Sequence, residues 1–404
     1  MHYVNPRATR QPYPADLLQV MSIAKGRESR AWLSTWSQLA PQPTPVWSLP
    51  WLAQALGVGS VHLKDESSRS PLGSFKVLGA PIALVRLVLR RWPDAGWTAQ
   101  ALLAGQHAAR LQDFVVITAT DGNHGRALAA AAQSLGCRCV IVLHAHVSKE
   151  REDAIAAFGA QIVRIQGDYD ASVTHAARVA QENGWDVVSD TSYDGYEAVP
   201  RDVMQGYGIL VDELLEAQPQ EGACPYTHVF LQGGVGGLPA GVVSHFWERY
   251  GTARPTFIVV EPEQADCLLQ SAIAGRAASA SGSVDSLMAG LACGQTSPLA
   301  WRFLQPAVDV FMTVTDNHAA SAMKVLATGS SGDVPILSGE SGAAGVAGLQ
   351  VAAADPALRA ALALDAGARV LLVSTEGATA PSVYRQVVGL GADAVLAAQM
   401  QWRG

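Results

Sequence analysis

The stretch Phe114–Leu143 reads FVVITATDGNHGRALAAAAQSLGCRCVIVL. Two runs rich in β-branched residues, Phe114–Ala119 and Cys139–Leu143, flank an alanine-rich segment at His124–Leu135. Gly136 follows that segment, at the place where a helix C-cap is expected. A strand, a helix of this length and a second strand form a βαβ unit, whose strands lie parallel in one sheet. The stretch therefore predicts an α/β protein.

The same alternation of strands and helices continues along the chain. Its members are the strands Gln161–Ile165, Asp186–Ser189, His228–Leu231, Thr256–Val260 and Arg369–Ser374 and the helices Lys149–Phe158, Ala171–Glu182 and Pro239–Tyr250. We expect a small α/β domain at residues 86–194 and a larger domain formed by residues 1–85 and 195–404. The alanine-rich run Leu349–Ala368 predicts one further helix, packed on the surface.

Composition excludes several classes of protein. The 404 residues are 49% hydrophobic and 16% charged, which excludes a disordered chain. The net charge of −7 comes without a basic run, so we expect no nucleic-acid partner. The N-terminus has Pro, Tyr and Asp where a signal peptide needs an apolar core, and the long uncharged stretch Thr227–Trp247 is rich in glycine. We therefore expect a cytoplasmic protein with no membrane partner.

Five cysteines are too few for the framework of a secreted disulfide protein of this length. Cys137 and Cys139 lack the second pair of ligands that a zinc site needs, so no metal is predicted. We expect buried thiols. The sequence leaves open whether Cys267 and Cys293 pair.

The first segment that carries chemistry is Gly73–Gly79, which reads GSFKVLG. Its Lys76 lies among apolar and small residues, with no acidic residue within several positions. Desolvation in such a setting would lower the pKa of the lysine, and a neutral amine is what Schiff-base chemistry needs. The alternative is an ordinary solvated surface charge. Pro81 follows five residues later and is compatible with a helix only in its first turn.

Two further segments are loops between a strand and a helix. Thr120–Arg126 (TDGNHGR) would present backbone N–H groups to a carboxylate or phosphate, although Asp121 could simply be an N-cap. Gly233–Gly237 (GGVGG) would close backbone amides around a phosphate. This loop also suggests a nicotinamide dehydrogenase, with Glu261 ending the next strand, but Pro239 replaces the third glycine of the dinucleotide motif.

The three segments together are more specific than any one of them. The strings KDES, FKVLG, ATDGNHGRALA, DTSYDGY, MQGY, QGGVGG, MAGLACG, GESGAAG and STEG run from Lys64 to Gly377 and resemble the fold-type II family of pyridoxal-phosphate enzymes. This is the family of threonine synthase, the serine and threonine dehydratases and the tryptophan synthase β subunit. Within it, the longer strings resemble the diaminopropionate ammonia-lyases. The resemblance implies two lobes, each with a mainly parallel sheet flanked by helices, pyridoxal 5′-phosphate in the cleft between them, and a homodimer. The larger domain would bind most of the cofactor.

The resemblance also implies which residues contact the cofactor. Lys76 matches the lysine that binds it covalently, and Asn123 matches the asparagine that contacts the 3′-oxygen of the pyridine ring. The phosphate cup matches Gly233, Gly234, Val235, Gly236 and Gly237. Ser374, with Thr375 as the alternative, matches the hydroxyl residue that faces the pyridine nitrogen. A neutral hydroxyl does not enforce a protonated ring, which suits β-elimination.

The same resemblance implies an amino-acid substrate. Asp121 and Asp190 match two acidic positions of the ammonia-lyases and would be acid–base groups, although Asp190 could instead cap a loop. The substrate pocket would be lined by Thr120, Asp121, Gly122, His124 and Tyr193. Tyr193 stands where the family tends to have tryptophan.

The predicted reaction is the α,β-elimination of ammonia from 2,3-diaminopropionate, which gives pyruvate and two ammonia. Alternatives are a serine or threonine dehydratase and another β-eliminating or β-replacing enzyme acting on a related diamino acid. A catalytically silent homologue that only binds ligand is the non-enzymatic alternative.

Overall fold

A computed structural model describes residues 1–40, 42–120, 122–216, 222–329 and 332–403. The strands are β1 (His2–Val4), β2 (Val46–Ser48), β3 (Ser60–Asp65), β4 (Val115–Ala119), β5 (Arg138–Leu143), β6 (Gln161–Arg164), β7 (Asp186–Val187), β8 (His228–Gln232), β9 (Thr256–Pro262), β10 (Val310–Val314) and β11 (Arg369–Ser374). The first helices are α1 (Ala15–Val20), α2 (Ile23–Leu33), α3 (Pro50–Leu56), α4 (Ala80–Arg91), α5 (Ala99–Leu103), α6 (Ala108–Leu111), α7 (Asn123–Leu135), α8 (Lys149–Ala156), α9 (Tyr169–Asn183) and α10 (Ala198–Tyr207). The others are α11 (Ile209–Leu215), α12 (Gly237–Tyr250), α13 (Cys267–Ala274), α14 (Pro298–Ala307), α15 (Asp316–Thr328), α16 (Ala344–Ala354), α17 (Pro356–Leu362), α18 (Pro381–Val388) and α19 (Ala392–Gln401).

Within the described residues the strands form two sheets. The larger has the order β1-β10-β9-β8-β11-β3-β2, and its inner strands are parallel, while β1 and β2 pair antiparallel at the edges. The smaller sheet has the order β6-β5-β4-β7 and is parallel throughout. Every residue of β4 and β8 is buried, as expected when helices cover both faces of a parallel sheet. The predicted fold class is confirmed.

The smaller sheet lies within the range predicted for the small domain, because its strands occupy residues 115–187. The domain boundaries themselves stay a prediction. The predicted βαβ unit is present as β4, α7 and β5. Pro81 lies in the first turn of α4, where proline is tolerated.

The single helix predicted over Leu349–Ala368 is wrong. The chain forms two helices there, because Asp355 accepts hydrogen bonds from the N–H groups of Ala357 and Leu358 at 2.9 and 3.1 Å and so caps a new helix. Pro356 then occupies the first position of α17, where its missing N–H costs nothing.

The cysteine question is also settled. All five cysteines are buried thiols, and no disulfide links Cys267 to Cys293. Within the described part of the chain, no helix combines the length and apolarity needed to cross a membrane. The same residues contain no cluster of three or more His, Cys, Asp or Glu side chains that could hold a metal ion.

Candidate active site

A cavity lies between the two sheets and is lined by apolar side chains together with a few polar and charged groups, as is typical of a small-molecule site. Its wall includes the segments that follow the carboxyl ends of β4, β8 and β11, where ligands bind in open α/β sheets. The predicted site residues that line it are Lys76, Thr120, Gly122, Asn123, His124, Asp190, Gly233, Gly234, Val235, Gly237 and Thr375. Asp121 lies outside the described residues.

Lys76 projects into this cavity from the 3₁₀ turn Phe75–Leu78. Its Nζ donates a hydrogen bond of 2.5 Å to Oδ2 of Asp190. The prediction that desolvation leaves Lys76 with a lowered pKa is wrong for a lysine paired with Asp190. Burial is the largest single influence and lowers the pKa, but the charge and hydrogen bond of Asp190, together with Tyr207 and Cys293, outweigh burial, so the net shift is upward. The sequence could not show this, because Asp190 is distant along the chain.

Asp190 is buried and stays ionised beside its cation. Burial by itself would raise the pKa of this carboxyl, but Lys76, through its charge and its hydrogen bond, lowers it to about 2. His124 donates from Nε2 to the carbonyl of Val188 at 2.8 Å, so its Nδ1, 3.9 Å from Asp190 Oδ2, carries only a lone pair. Burial lowers the pKa of His124, which keeps this ring neutral. Lys76 is therefore the cation that compensates Asp190.

The glycine-rich loop turns the chain from β8 into α12. Gly234 and Gly236 have φ values of 60° and 101°, a region that favours glycine. A Cβ on Gly236 would also lie 3.0 Å from side-chain atoms of Ala300 and Leu304, so this residue shapes the loop from behind and does not line the cavity. Gly237 does line the cavity as the first residue of α12, where helix N–H groups have no intrahelical partner. The loop therefore directs backbone N–H dipoles that could bind an anion into the cavity.

Glu261 does not fit the dehydrogenase alternative. Its carboxylate is fully buried and accepts hydrogen bonds from the N–H groups of Leu268 and Leu269, both at 2.8 Å. These bonds cap the start of α13, so Glu261 is committed to the fold. Burial raises its pKa to about 8. A ribose-binding role for this residue has no support in the structure.

Asn123 is held by Glu376, a residue that the sequence analysis missed. Asn123 Nδ2 donates to Glu376 Oε2, and Thr379 Oγ1 donates to the same oxygen at 3.0 Å. The backbone N–H of Ser341 donates to the other oxygen at 3.1 Å. A carboxylate only accepts hydrogen bonds, so these contacts fix which end of the Asn123 amide faces Glu376. The string STEG contains Glu376 but does not by itself indicate a role for this residue. The contact between Glu376 and Asn123 does.

Two predicted residues lie outside the cavity wall. Ser374 is fully buried and donates to Ser338 Oγ at 2.8 Å, whereas its neighbour Thr375 lines the cavity. The geometry therefore favours Thr375, the alternative in the prediction. Tyr193 is 38% exposed and stacks on Tyr196, with ring centroids 4.7 Å apart.

These groups fit pyridoxal 5′-phosphate. The cavity offers one amine for an aldehyde carbon, a backbone cradle for a phosphate, and side-chain amide and hydroxyl groups for a pyridine ring. The phosphate cradle also depends on glycine, because a Cβ on Gly233 would lie 2.6 Å from Cγ of Glu261.

Comparison with known proteins identifies the class. A family model described as "Pyridoxal-phosphate dependent enzyme" matches residues 38–376, and the chain therefore belongs to this family. The chain is 39% identical over 359 residues to diaminopropionate ammonia-lyase of Escherichia coli (strain K12), which covers 88% of this chain and 89% of that one. Crystal structures of the E. coli enzyme, with an aminoacrylate–PLP azomethine reaction intermediate and with D-serine, match with a TM-score of 0.85 at 35% identity over 96% of both chains. The predicted family, its ammonia-lyase resemblance and the cofactor are confirmed.

Proposed function

We propose that this protein is a pyridoxal-phosphate-dependent carbon–nitrogen lyase that eliminates ammonia from 2,3-diaminopropionate. The carbon skeleton becomes pyruvate, one water is consumed and two ammonia are released. The observation that carries this proposal is the Lys76–Asp190 pair, a cofactor lysine beside a buried carboxylate in a cavity with a phosphate cradle. The 39% identity to an ammonia-lyase of the same length supports it.

Two helix N-termini would bind the two anionic groups, the cofactor phosphate and the substrate α-carboxylate. α12 begins at Gly237 and α7 at Asn123, and both residues line the cavity. Each end presents N–H groups and the positive end of a helix dipole. We assign the first to the cofactor phosphate and the second to the substrate α-carboxylate. Thr120 Oγ1 stabilises the N-terminus of α7 by accepting hydrogen bonds from the N–H groups of Gly122 and Gly125 at 3.0 and 3.1 Å.

The pyridine ring would lie between Asn123 and Thr375. Asn123 has a second Nδ2 hydrogen beyond the one that Glu376 accepts, and it would donate this hydrogen to the 3′-oxygen. Thr375 would offer its hydroxyl to the ring nitrogen, in place of Ser374. When bound, pyridoxal 5′-phosphate supplies an electron sink for the charge that develops as the Cα proton leaves.

Proton transfer is assigned to Asp190 and Asp121. Lys76 is the main partner that lowers the pKa of Asp190, so engagement of Lys76 with the cofactor would make Asp190 a stronger base. The role of Asp121 rests on its place in the TDGNHG string. Bases on opposite faces of the substrate would allow both enantiomers to react.

The alternatives predict different products from the same assay. Purified holoenzyme incubated with D- and L-2,3-diaminopropionate should release pyruvate and two ammonia per substrate, with Lys76→Ala as the inactive control. Pyruvate from serine but not from diaminopropionate would instead indicate a dehydratase. No product from any β-substituted amino acid would indicate a silent homologue.

The assembly and location are separate proposals. The family resemblance supports a homodimer, the five buried thiols without a disulfide fit the reducing cytoplasm, and the net charge of −7 without a basic run supports an enzyme without nucleic-acid partners. Sedimentation equilibrium should give twice the mass of one chain. A monomer with full activity would contradict the homodimer.

A further inference from the structure

The ammonium group of Lys76 occupies a notch with three walls. Asp190 Oδ2 lies 2.5 Å from Nζ on one side. The ring centroids of Phe75 and Tyr207 lie 5.3 and 5.8 Å from Nζ, within the range of cation–π attraction. The two rings also pack on each other, with centroids 4.7 Å apart. We call Asp190, Phe75 and Tyr207 the ammonium notch.

The notch is built from buried, well-fixed groups. Tyr207 is 1% exposed and ends α10, and its ring packs so closely that a Cβ on Gly79 would lie 2.7 Å from Cε1. The same ring reaches the phosphate loop, since a Cβ on Gly237 would lie 3.7 Å from Cε2. These contacts position the Tyr207 ring independently of Lys76.

Engagement of Lys76 with the cofactor removes the cation from this notch. Asp190 would then be a buried carboxylate without a cation in hydrogen-bond contact among the described residues, since His124 Nδ1 lies 3.9 Å from its Oδ2. An uncompensated buried charge is strongly unfavourable, so the notch would attract another cation of ammonium size. The hydroxyl of Tyr207 adds to this attraction for an ammonium group, because its Oη is buried without a hydrogen-bond partner among the described residues.

We infer that the ammonium notch binds the β-ammonium group of the substrate and selects diamino acids over hydroxy amino acids. This inference rests on the proposed function. It also has a chemical reason: a β-ammonium leaves as neutral ammonia with the electron pair of the C–N bond, whereas an uncharged amine would have to leave as an anion. For the enantiomer whose Cα proton is assigned to Asp121, Asp190 keeps the leaving group protonated, and for both enantiomers the two aromatic faces hold the cation without competing for its protons.

The test compares a cationic and a neutral β-substituent in Tyr207 variants of the holoenzyme. Tyr207→Met keeps an apolar side chain of similar reach but removes the aromatic face. We expect KM for 2,3-diaminopropionate to rise roughly tenfold, while the inhibition constant of D-serine changes less than about twofold. Tyr207→Phe restores the face and should recover most of the preference. Tyr384→Phe is the matched control, because the Tyr384 hydroxyl is also buried without a hydrogen-bond partner in the described part of the chain, and Tyr384 does not line the cavity.

Each outcome separates the two proposals. Equal changes for both ligands in Tyr207→Met, or no change for either, would overturn the notch while leaving the ammonia-lyase reaction intact. A wild type that releases no pyruvate from diaminopropionate would overturn the proposed function and the notch with it. If Tyr207→Met fails to fold, Phe75→Leu removes the other face and should show the same selective rise in KM; an unselective change there would equally contradict the inference.

Discussion

Two buried ionic clusters differ in how completely their charges are paired. The first, which we call the ion network, contains Lys64, Glu66, Arg69 and Glu213. Lys64 donates to Glu213 at 2.8 Å, and Arg69 donates to Glu66 and Glu213 at distances of 2.6–2.9 Å. Thr44 supplies three further contacts: its carbonyl accepts from Lys64, and its hydroxyl accepts from Arg69 and donates to Glu66. The two cations and two anions of the network therefore neutralise each other within hydrogen-bond distance.

The second cluster lies at the cofactor cavity and is under-partnered. Within the described residues, the Lys76 side chain donates its hydrogen bond to Asp190. Glu340, next to Ser341 of the cavity wall, has two buried oxygens without a hydrogen-bond partner there, and Arg151 Nη2 is 3.9 Å away. A saturated cluster stabilises one geometry, whereas an under-partnered cluster is stabilised by a ligand. The same residue types thus serve structure in one place and chemistry in the other.

Among the substitutions that distinguish the two clusters, the loss of Lys76 should have the largest effect on turnover. Lys76→Ala should abolish turnover, because no other amine occupies the cavity to bind the cofactor covalently among the described residues. The fold should survive, since water can enter the cavity and solvate Asp190. Borohydride reduction of the wild-type holoenzyme followed by peptide mapping should place the cofactor on Lys76. A label on Lys64 or any other lysine would contradict the assignment.

The next effect concerns the two acidic residues. Asp190→Asn and Asp121→Asn should each lower turnover by ~10²–10⁴-fold with the cofactor still bound, as expected for loss of a general base. Turnover of D- and L-2,3-diaminopropionate is the measurement, and the two variants should fail with different enantiomers. Near wild-type rates in both variants would leave these residues with a capping role only, because asparagine caps about as well as aspartate.

The sequence predicted the elements of the site better than its contacts. The βαβ unit, the glycine loop and Lys76 each have a local signature, because strand, helix and turn preferences are set by neighbouring residues. The partner of Lys76 was not predictable, since Asp190 reaches it only after 114 residues of intervening fold. Tyr207 and Glu376 were missed for the same reason.

The two lysines illustrate that limit. Lys64 in KDES and Lys76 in SFK both lie in strings that stand out in the sequence; Lys64 is buried and Lys76 is half-buried at the cavity. What separates them is Glu213 on α11. This residue pairs with Lys64, which lies 149 residues earlier in the chain, and with Arg69, which lies 144 residues earlier. Only the resemblance to the family, and not the local residue pattern, assigned the chemistry to Lys76.

The ion network should respond to substitution in stability rather than in activity. Glu213→Gln leaves Lys64 and Arg69 with Glu66 as their remaining anion, and breaking such a buried pair typically costs about 3–5 kcal/mol. Urea unfolding should show this loss, while kcat and KM of the folded enzyme stay at wild-type values. Glu182→Gln is the control, because Glu182 pairs with Arg178 on an exposed helix face. An unchanged unfolding midpoint in Glu213→Gln would mean that the network is not a stabilising feature.

The smallest expected effect is a pH dependence at Glu340. Burial and the charge of Glu376 raise the pKa of Glu340 from 4.5 to about 7. The folded state therefore favours the neutral acid, and the resulting stability is present below pH 4.5 and is lost as the pH rises through about 7. Glu340→Gln removes the charge and should match the wild type near pH 4.5.

The stability difference should then develop between pH 5 and 8. By pH 8 the Glu340→Gln variant should be more stable than the wild type by roughly 2–3 kcal/mol, because the wild type alone must carry the buried charge. The measurement is the free energy of unfolding of both proteins across this range, with the exposed Glu182→Gln variant as the reference for general pH effects. If Arg151 at 3.9 Å instead compensates the Glu340 charge, the wild type will keep its stability up to pH 8, and Glu340 will belong with the paired charges of the ion network.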